Sequence, residues 1–120
     1  MKLLVILTTL ILTVATHAAG CRDLPTRDYW NSVRFLPVTI TAYDGLKVST
    51  VTSTKEEVFF TEFEVDDKTE FPLNFLADYK KKTYFAVYCG SLLLWVQELG
   101  KPRFVLETRA EQIKRAKGKG

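Results

Sequence analysis

From Phe35 onward the apolar residues recur at every second position, the spacing of a strand with one face buried. Val38, Ile40 and Ala42 alternate with Thr39, Thr41 and Tyr43, and Asp44-Gly45 then reads as a tight turn. Leu46 to Thr52 continues as a strand rich in Val and Thr, and Ser53 to Lys55 turns the chain again. Val58 to Val65 carries the clearest alternation. Phe59, Thr61, Phe63 and Val65 share one face, while Val58 and Phe60 begin the other, which turns acidic at Glu62 and Glu64. After a turn at Asp66-Asp67-Lys68 the pattern predicts a strand from Glu70 to Tyr79, in which Pro72 calls for an edge, a bulge or a late start. Lys80-Lys81-Lys82 is a charged turn. Thr83, Phe85, Val87 and Cys89 fall on one face of the next strand, Gly90-Ser91 turns the chain, and Leu92 to Leu99 follows before Gly100-Lys101-Pro102.

The period then changes. Glu107 to Lys117 lacks Gly and Pro and is rich in helix formers, with Ala110, Ile113 and Ala116 as a thin apolar stripe. Thr108 can cap this helix, with Glu111 three residues on as its capping-box partner. Consecutive strands joined by short turns predict an antiparallel meander, which must cover its apolar face or close on itself. Periodicity alone leaves barrel, sandwich and sheet-plus-helix open.

The first residues follow another pattern. Lys2 supplies a positive charge, Leu3 to Val14 is apolar apart from three threonines, and small residues follow at Ala15, Ala18, Ala19 and Gly20. That is the layout of a secretory signal peptide, and the apolar run is shorter than the roughly 20 residues a membrane span needs. The chain therefore divides into a signal peptide at 1–19, a β-barrel-like domain at 20–106, and a C-terminal helix with a basic tail at 107–120. No second apolar stretch reaches spanning length, so the expectation is an extracellular, secreted protein without stable membrane insertion.

Charge narrows the partners. Past the leader there are 16 basic and 14 acidic residues, a net of +2, which does not suggest nucleic acid. Lys114, Arg115, Lys117 and Lys119 read as a solvated helix end. The one histidine, His17, lies in the leader. The rest of the chain thus has no Ser-His-Asp triad, no Cys-His dyad and no histidine metal site. The acidic pairs Asp66-Asp67 and Glu56-Glu57 sit at a turn and a strand start, where solvated charge is the ordinary reading. With no Gly-rich phosphate loop either, no catalytic residue, cofactor or metal is called for, and the chain does not read as an enzyme.

Cys21 and Cys89 are the two cysteines. In an oxidising compartment an even count favours a disulfide, and only one pairing exists. The rival reading is lipid attachment, since Ala18-Ala19-Gly20-Cys21 resembles a bacterial lipoprotein cleavage box.

Ala77-Asp78-Tyr79, then Tyr84-Phe85-Ala86-Val87-Tyr88-Cys89, then Leu94-Trp95-Val96, Pro102 and Glu107 to Ala116 resemble, in that order, the end of a lipocalin of the apolipoprotein D and insect Lazarillo type. The resembling features are the motif opening the late hairpin, the late strand whose cysteine bonds one near the mature N-terminus, the final strand with its proline-bearing exit, and the helix packed on the barrel. Cys21 stands at about that N-terminal place. Ala77 replaces the family's threonine, Leu99 stands where an arginine is expected, the Gly-x-Trp motif is absent, and the chain is too short for a complete eight-stranded barrel.

The resemblance implies a reduced or partly open lipocalin-like barrel with one C-terminal α-helix. It also implies a binding or carrier protein for a small hydrophobic ligand of the lipid, sterol, retinoid or pigment class. Phe59, Phe63, Phe75, Tyr84, Phe85 and Val87 are then the candidate ligand contacts, each with ordinary core packing as its competing role. Trp30 and Trp95 read as core anchors. The alternatives are a secreted interaction module without a cavity, such as a protease inhibitor or receptor ligand, and a bacterial lipoprotein anchored through Cys21. A shortened barrel would leave an exposed sheet edge, through which a homodimer could form.

Overall fold

The period-two segments become strands. A computed structural model describes residues 20–101 and 105–119, so the leader and Pro102 lie outside the described residues. β1 (Arg34–Tyr43), β2 (Lys47–Ser53) and β3 (Val58–Glu64) form an antiparallel meander. β5 (Thr83–Cys89) and β6 (Leu92–Glu98) form an antiparallel hairpin. β4 (Glu70–Pro72) and β7 (Leu106–Thr108) are short flanking strands.

β5 returns to lie antiparallel beside β1, from Arg34 opposite Tyr88 to Thr39 opposite Thr83. The resulting order β5-β1-β2-β3 is that of a Greek key. The ring closes where β6 meets β3 in parallel at Glu64 and Leu92, the Glu64 N–H donating to the Ser91 carbonyl at 2.7 Å. One bridge is all that closes it, so the barrel is partly open. The simple meander holds within β1–β3 and within β5–β6. β4 departs from it, lying parallel to β6 at Glu70 and Trp95, with β7 antiparallel on its far side.

Inside the ring lie Val38, Ile40, Val48, Phe63, Phe71, Phe75, Tyr84, Ala86, Leu93 and Val96, all buried. The alternation in β1 is interrupted by a bulge between Ile40 and Ala42. The extra residue turns Ala42 outward and Tyr43 toward the core, the reverse of the simple period-two assignment. At the following turn Gly45 takes φ +90°, and the Asp44 carboxylate accepts the Leu46 and Lys47 N–H groups at 2.8 Å each. Those two bonds hold the Asp44 carboxyl below its usual range.

The strand expected over 70–79 stops at Pro72. Proline cannot donate to a ladder, and after it the chain coils into α2 (Phe75–Asp78; the helix Thr26–Ser32 is α1) and a 3-10 turn at Tyr79–Lys81. Phe75 and Tyr79 still meet, because a helical turn brings residues four apart onto one face, and Phe71 reaches Phe75 from the end of β4.

The outer face of β5 and β6 carries a second buried cluster of Val87, Cys89, Leu92, Leu94 and Trp95 with Cys21 and Val33. Its cover is the N-terminal segment, a 3-10 turn at Cys21–Asp23 and an α-helix, Thr26–Ser32. Cys21 and Cys89 are joined in a disulfide. With its sulfur engaged there, Cys21 is not available to carry a thioether-linked lipid. Trp95 is buried, whereas Trp30 is 53% exposed and does not anchor a core. It lies on a helix of seven residues, none fully buried, whose Tyr29 packs half-buried against this cluster.

The C-terminal helix α3 (Arg109–Lys119; the helices of 26–32 and 75–78 precede it) starts two residues later than the composition predicts, since Leu106–Thr108 pairs with β4 first. Its capping box forms as read: the Glu111 N–H donates to Thr108 Oγ1 at 3.1 Å and the Thr108 N–H to Glu111 Oε1 at 3.0 Å. The stripe Ala110, Ile113 and Ala116 is exposed. Polar contacts dock the helix instead. Tyr43 donates to Gln112 Oε1 at 2.7 Å, Arg109 donates to the Gly45 carbonyl at 2.8 Å, and Arg115 Nε donates to the buried Glu107 carboxylate at 2.9 Å.

Candidate ligand cleft

Aromatic side chains fill the ring. Phe75 sits at its centre, with ring centroids 4.8 Å from Phe71, 5.3 Å from Tyr79, 5.5 Å from Tyr84 and 5.6 Å from Tyr43. Tyr84, Phe63, Phe71 and Phe75 are fully buried. The interior is thus occupied by the protein's own side chains, and the concave apolar surface lies at the end of the barrel.

There a cleft of about 170 Å³ opens between the 75–78 helix, β5, β6 and the start of β7. Its floor is Phe75 and Tyr84, its walls are Pro72, Leu73 and Leu106, and its rim is charged. On the rim Lys82 Nζ lies 2.5 Å from Glu98 and 3.4 Å from Asp78, and Lys101 reaches the other oxygen of Glu98 at 2.9 Å. Hydrogen bonding to Glu98 raises the Lys82 ammonium above its usual range, and the bonds from Lys82 and Lys101 lower the Glu98 carboxyl. Both shifts favour the charged forms of Lys82 and Glu98. A dry aromatic floor beneath a fixed set of charges is suited to an apolar group carrying a polar end.

Of the six residues the resemblance offers, the cleft brings together Phe75 and Tyr84. Phe63 packs in the same core, deeper in the ring. Val87 lies on the opposite side of the sheet, in the cluster under the N-terminal segment, and Phe85 is partly buried. Phe59 is exposed on β3. Apart from Asp78, which belongs to the Ala77-Asp78-Tyr79 motif, the rim residues Lys82 and Glu98 carry no sequence signal, because each alone reads as a solvated charge and β5 and β6 must pair before they meet.

A second, larger and shallower groove of about 480 Å³ runs between α3 and the β1–β2 turn, lined by Tyr43, Leu76, Gln112, Ile113 and Ala116. Among the described residues no group of three or more His, Cys, Asp or Glu side chains is placed to hold a metal ion, and no helix is long and apolar enough to cross a membrane.

Burial pushes the Tyr84 phenol to about 12, against a smaller lowering by Lys82, and pushes Tyr43 to about 12 as well. Both shifts favour the neutral phenol in the folded state. The folded protein therefore holds these two protons above pH 10, where the unfolded chain has released them. Stability is expected to be unaffected by these groups near neutrality and to fall as pH rises from about 10 toward 12. Phenolate absorbance should show Tyr84 and Tyr43 ionising late, together with the loss of structure. Tyr84→Phe should delete one of those late protons, and a titration between pH 10 and 12 unchanged by that substitution would contradict the burial.

No protein-family model, no curated protein and no solved structure matches this chain.

Proposed function

We propose that this chain is an extracellular, non-enzymatic binding protein for a small hydrophobic ligand, of the lipid, sterol, retinoid or pigment class, seated in the end cleft. The observation that carries the reading is the aromatic floor of Phe75 and Tyr84 under the Asp78–Lys82–Glu98 rim. The lipocalin resemblance from Ala77 to Ala116 points to the same ligand class. The disulfide between Cys21 and Cys89 is compatible with an oxidising, extracellular compartment, and the leader at 1–19 supplies the route. The cleft is smaller than the roughly 300–1,000 Å³ of most ligand pockets, so it admits one ring or the end of a chain, with the remainder of the ligand outside.

The test is native mass spectrometry on protein secreted from a eukaryotic cell, with a denatured spectrum beside it. The expected result is an added small-molecule mass that vanishes on denaturation, or that appears when fatty acids and retinoids are supplied. The variant Leu73→Trp, which places a larger ring at the cleft wall, should reduce that occupancy. A protein that stays bare against the whole panel overturns the reading.

A further inference from the structure

Among the described residues, one edge of the sheet is uncovered. In the β2–β3 ladder the Val65 N–H donates back to the Leu46 carbonyl, and the alternation of an antiparallel strand gives Phe63, Thr61 and Phe59 the same inward direction. The even residues direct their N–H and C=O groups the other way, as Glu64 does in bonding Ser91. Beyond that bridge β6 diverges from β3. Val58, Phe60 and Glu62 therefore present a row of N–H and C=O groups along an edge that no strand of the described residues covers.

Edges of this kind are ordinarily blunted by Lys, Pro or a covering segment. Here residues 58–62 contain neither Lys nor Pro, and Val58, Phe59 and Phe60 are all exposed, Phe60 at 80%. The edge is also acidic. Glu56 and Glu57 precede it, and Glu62 and Glu64 lie on the same face as Phe60. Lys47 of β2 approaches Glu62 at 3.2 Å, and among the described residues Glu56, Glu57 and Glu64 have no ion-pair partner.

We infer that the β3 edge binds an extended segment of a partner protein as an added strand, a segment in which Lys or Arg alternates with or flanks apolar residues. The backbone row supplies the ladder, Val58 and Phe60 contact the apolar positions, and Glu62 and Glu64 select the basic ones. A second copy of this chain is the poorer occupant. Antiparallel self-pairing would set Glu62 and Glu64 of both copies along one short ladder, where like charges oppose pairing. The inference stands apart from the end cleft, which shares no residue with this edge.

The experiment uses the full secreted protein with two fluorescent peptides of the same length, one alternating Val with Lys and one alternating Val with Glu. Anisotropy measures affinity, amide hydrogen exchange locates the contact, and sedimentation reports self-association. The Lys peptide should bind about tenfold or more tightly than the Glu peptide, the difference narrowing in high salt. Added protection should fall on the amides of Val58, Phe60 and Glu62 and spare those of Thr61 and Phe63. Two variants should weaken the Lys peptide by about tenfold or more: Phe60→Pro, which removes an outward N–H without touching the β2 ladder, and Glu62→Lys, which keeps the backbone and reverses the charge. Equal affinity for both peptides, binding unaffected by Glu62→Lys, or a concentration-dependent dimer already protecting the Val58 and Phe60 amides would each overturn the proposal. Retention of cleft ligand by Phe60→Pro would show that a failure here is separate from a failure of the cleft reading.

Discussion

Replacing both cysteines, as Cys21→Ala with Cys89→Ala, is expected to lower the unfolding free energy by roughly 4 kcal/mol in the chain-entropy account. The bridge spans 68 residues, so it removes many conformations from the unfolded chain. For a domain whose total stability lies in the ordinary range of about 5–15 kcal/mol, this is a large fraction. The folded state loses as well. No side chain of the helix of 26–32 is fully buried, and the segment 20–33 is held chiefly by Cys21, Val33, the half-buried Tyr29 and the Arg22–Asp66 ion pair. For Asp66, burial raises the carboxyl, but the Arg22 guanidinium and nearby N–H and hydroxyl donors outweigh it and keep the carboxyl below its usual range. Without the bridge this segment should detach and uncover Leu92, Leu94 and Trp95. Urea denaturation followed by tryptophan emission tests both parts. The midpoint should drop, and the native emission should shift to the red as Trp95 meets water, while Trp30 is exposed in either case. A midpoint and an emission indifferent to the two substitutions would show that packing, not the bridge, holds the N-terminal segment.

The long strands were legible because their information is local, whereas the short β4 and β7 were not: Pro72 ends the first, and the second lies where the composition predicts a helix start. Thr83–Cys89 and Leu92–Glu98 begin and end within a residue of where alternation and the glycine turn place them. The capping box at Thr108 and Glu111 was legible for the same reason, since both partners lie within one turn. The pairing of Cys21 with Cys89 needed only a count of two. What escaped depends on contacts between distant parts of the chain. A bulge at residue 41 reverses the faces of Ala42 and Tyr43, and no composition marks it. Period two gives a strand its faces but not its neighbours, so the return of β5 to β1 and the parallel approach of β6 to β3 could not be read. The stripe Ala110, Ile113 and Ala116 suggested a hydrophobic dock for the last helix. The dock is instead Gln112 against Tyr43 and Arg115 against Glu107, pairs 69 and 8 residues apart whose partners read singly as surface residues. The candidate cleft divides the same way. Phe75 and Tyr84 stood out as aromatics, whereas the rim of Asp78, Lys82 and Glu98 exists only once the hairpin has formed.

Phe75→Ala is expected to cost about 3–5 kcal/mol, the range for deleting a fully buried phenylalanine ring. Phe75 is 1% exposed and touches four other aromatic rings, so neighbours pinned by the strands on either side cannot readily collapse into the space. The same substitution tests the local fold. Had the chain continued as a strand through residue 79, Phe75 and Ala77 would share one buried face. In the helix of 75–78 they part, Phe75 entering the core and Ala77 facing solvent. Ala77→Glu should therefore stay within about 0.5 kcal/mol of the parent protein, as surface substitutions usually do. Chemical denaturation of the two variants decides between the conformations, because a strand would make both costly and the helical turn only one. Phe75→Ala also deepens the end cleft toward Phe71 and Tyr79. In the fraction that stays folded, stabilised by moderate temperature, a ligand with a bulkier apolar end should then be accepted. In the proposed binding role, a core ring that also floors the cleft would link stability to the size of the ligand. A substitution confined to the wall, such as Leu73→Trp, should alter binding and leave stability nearly unchanged.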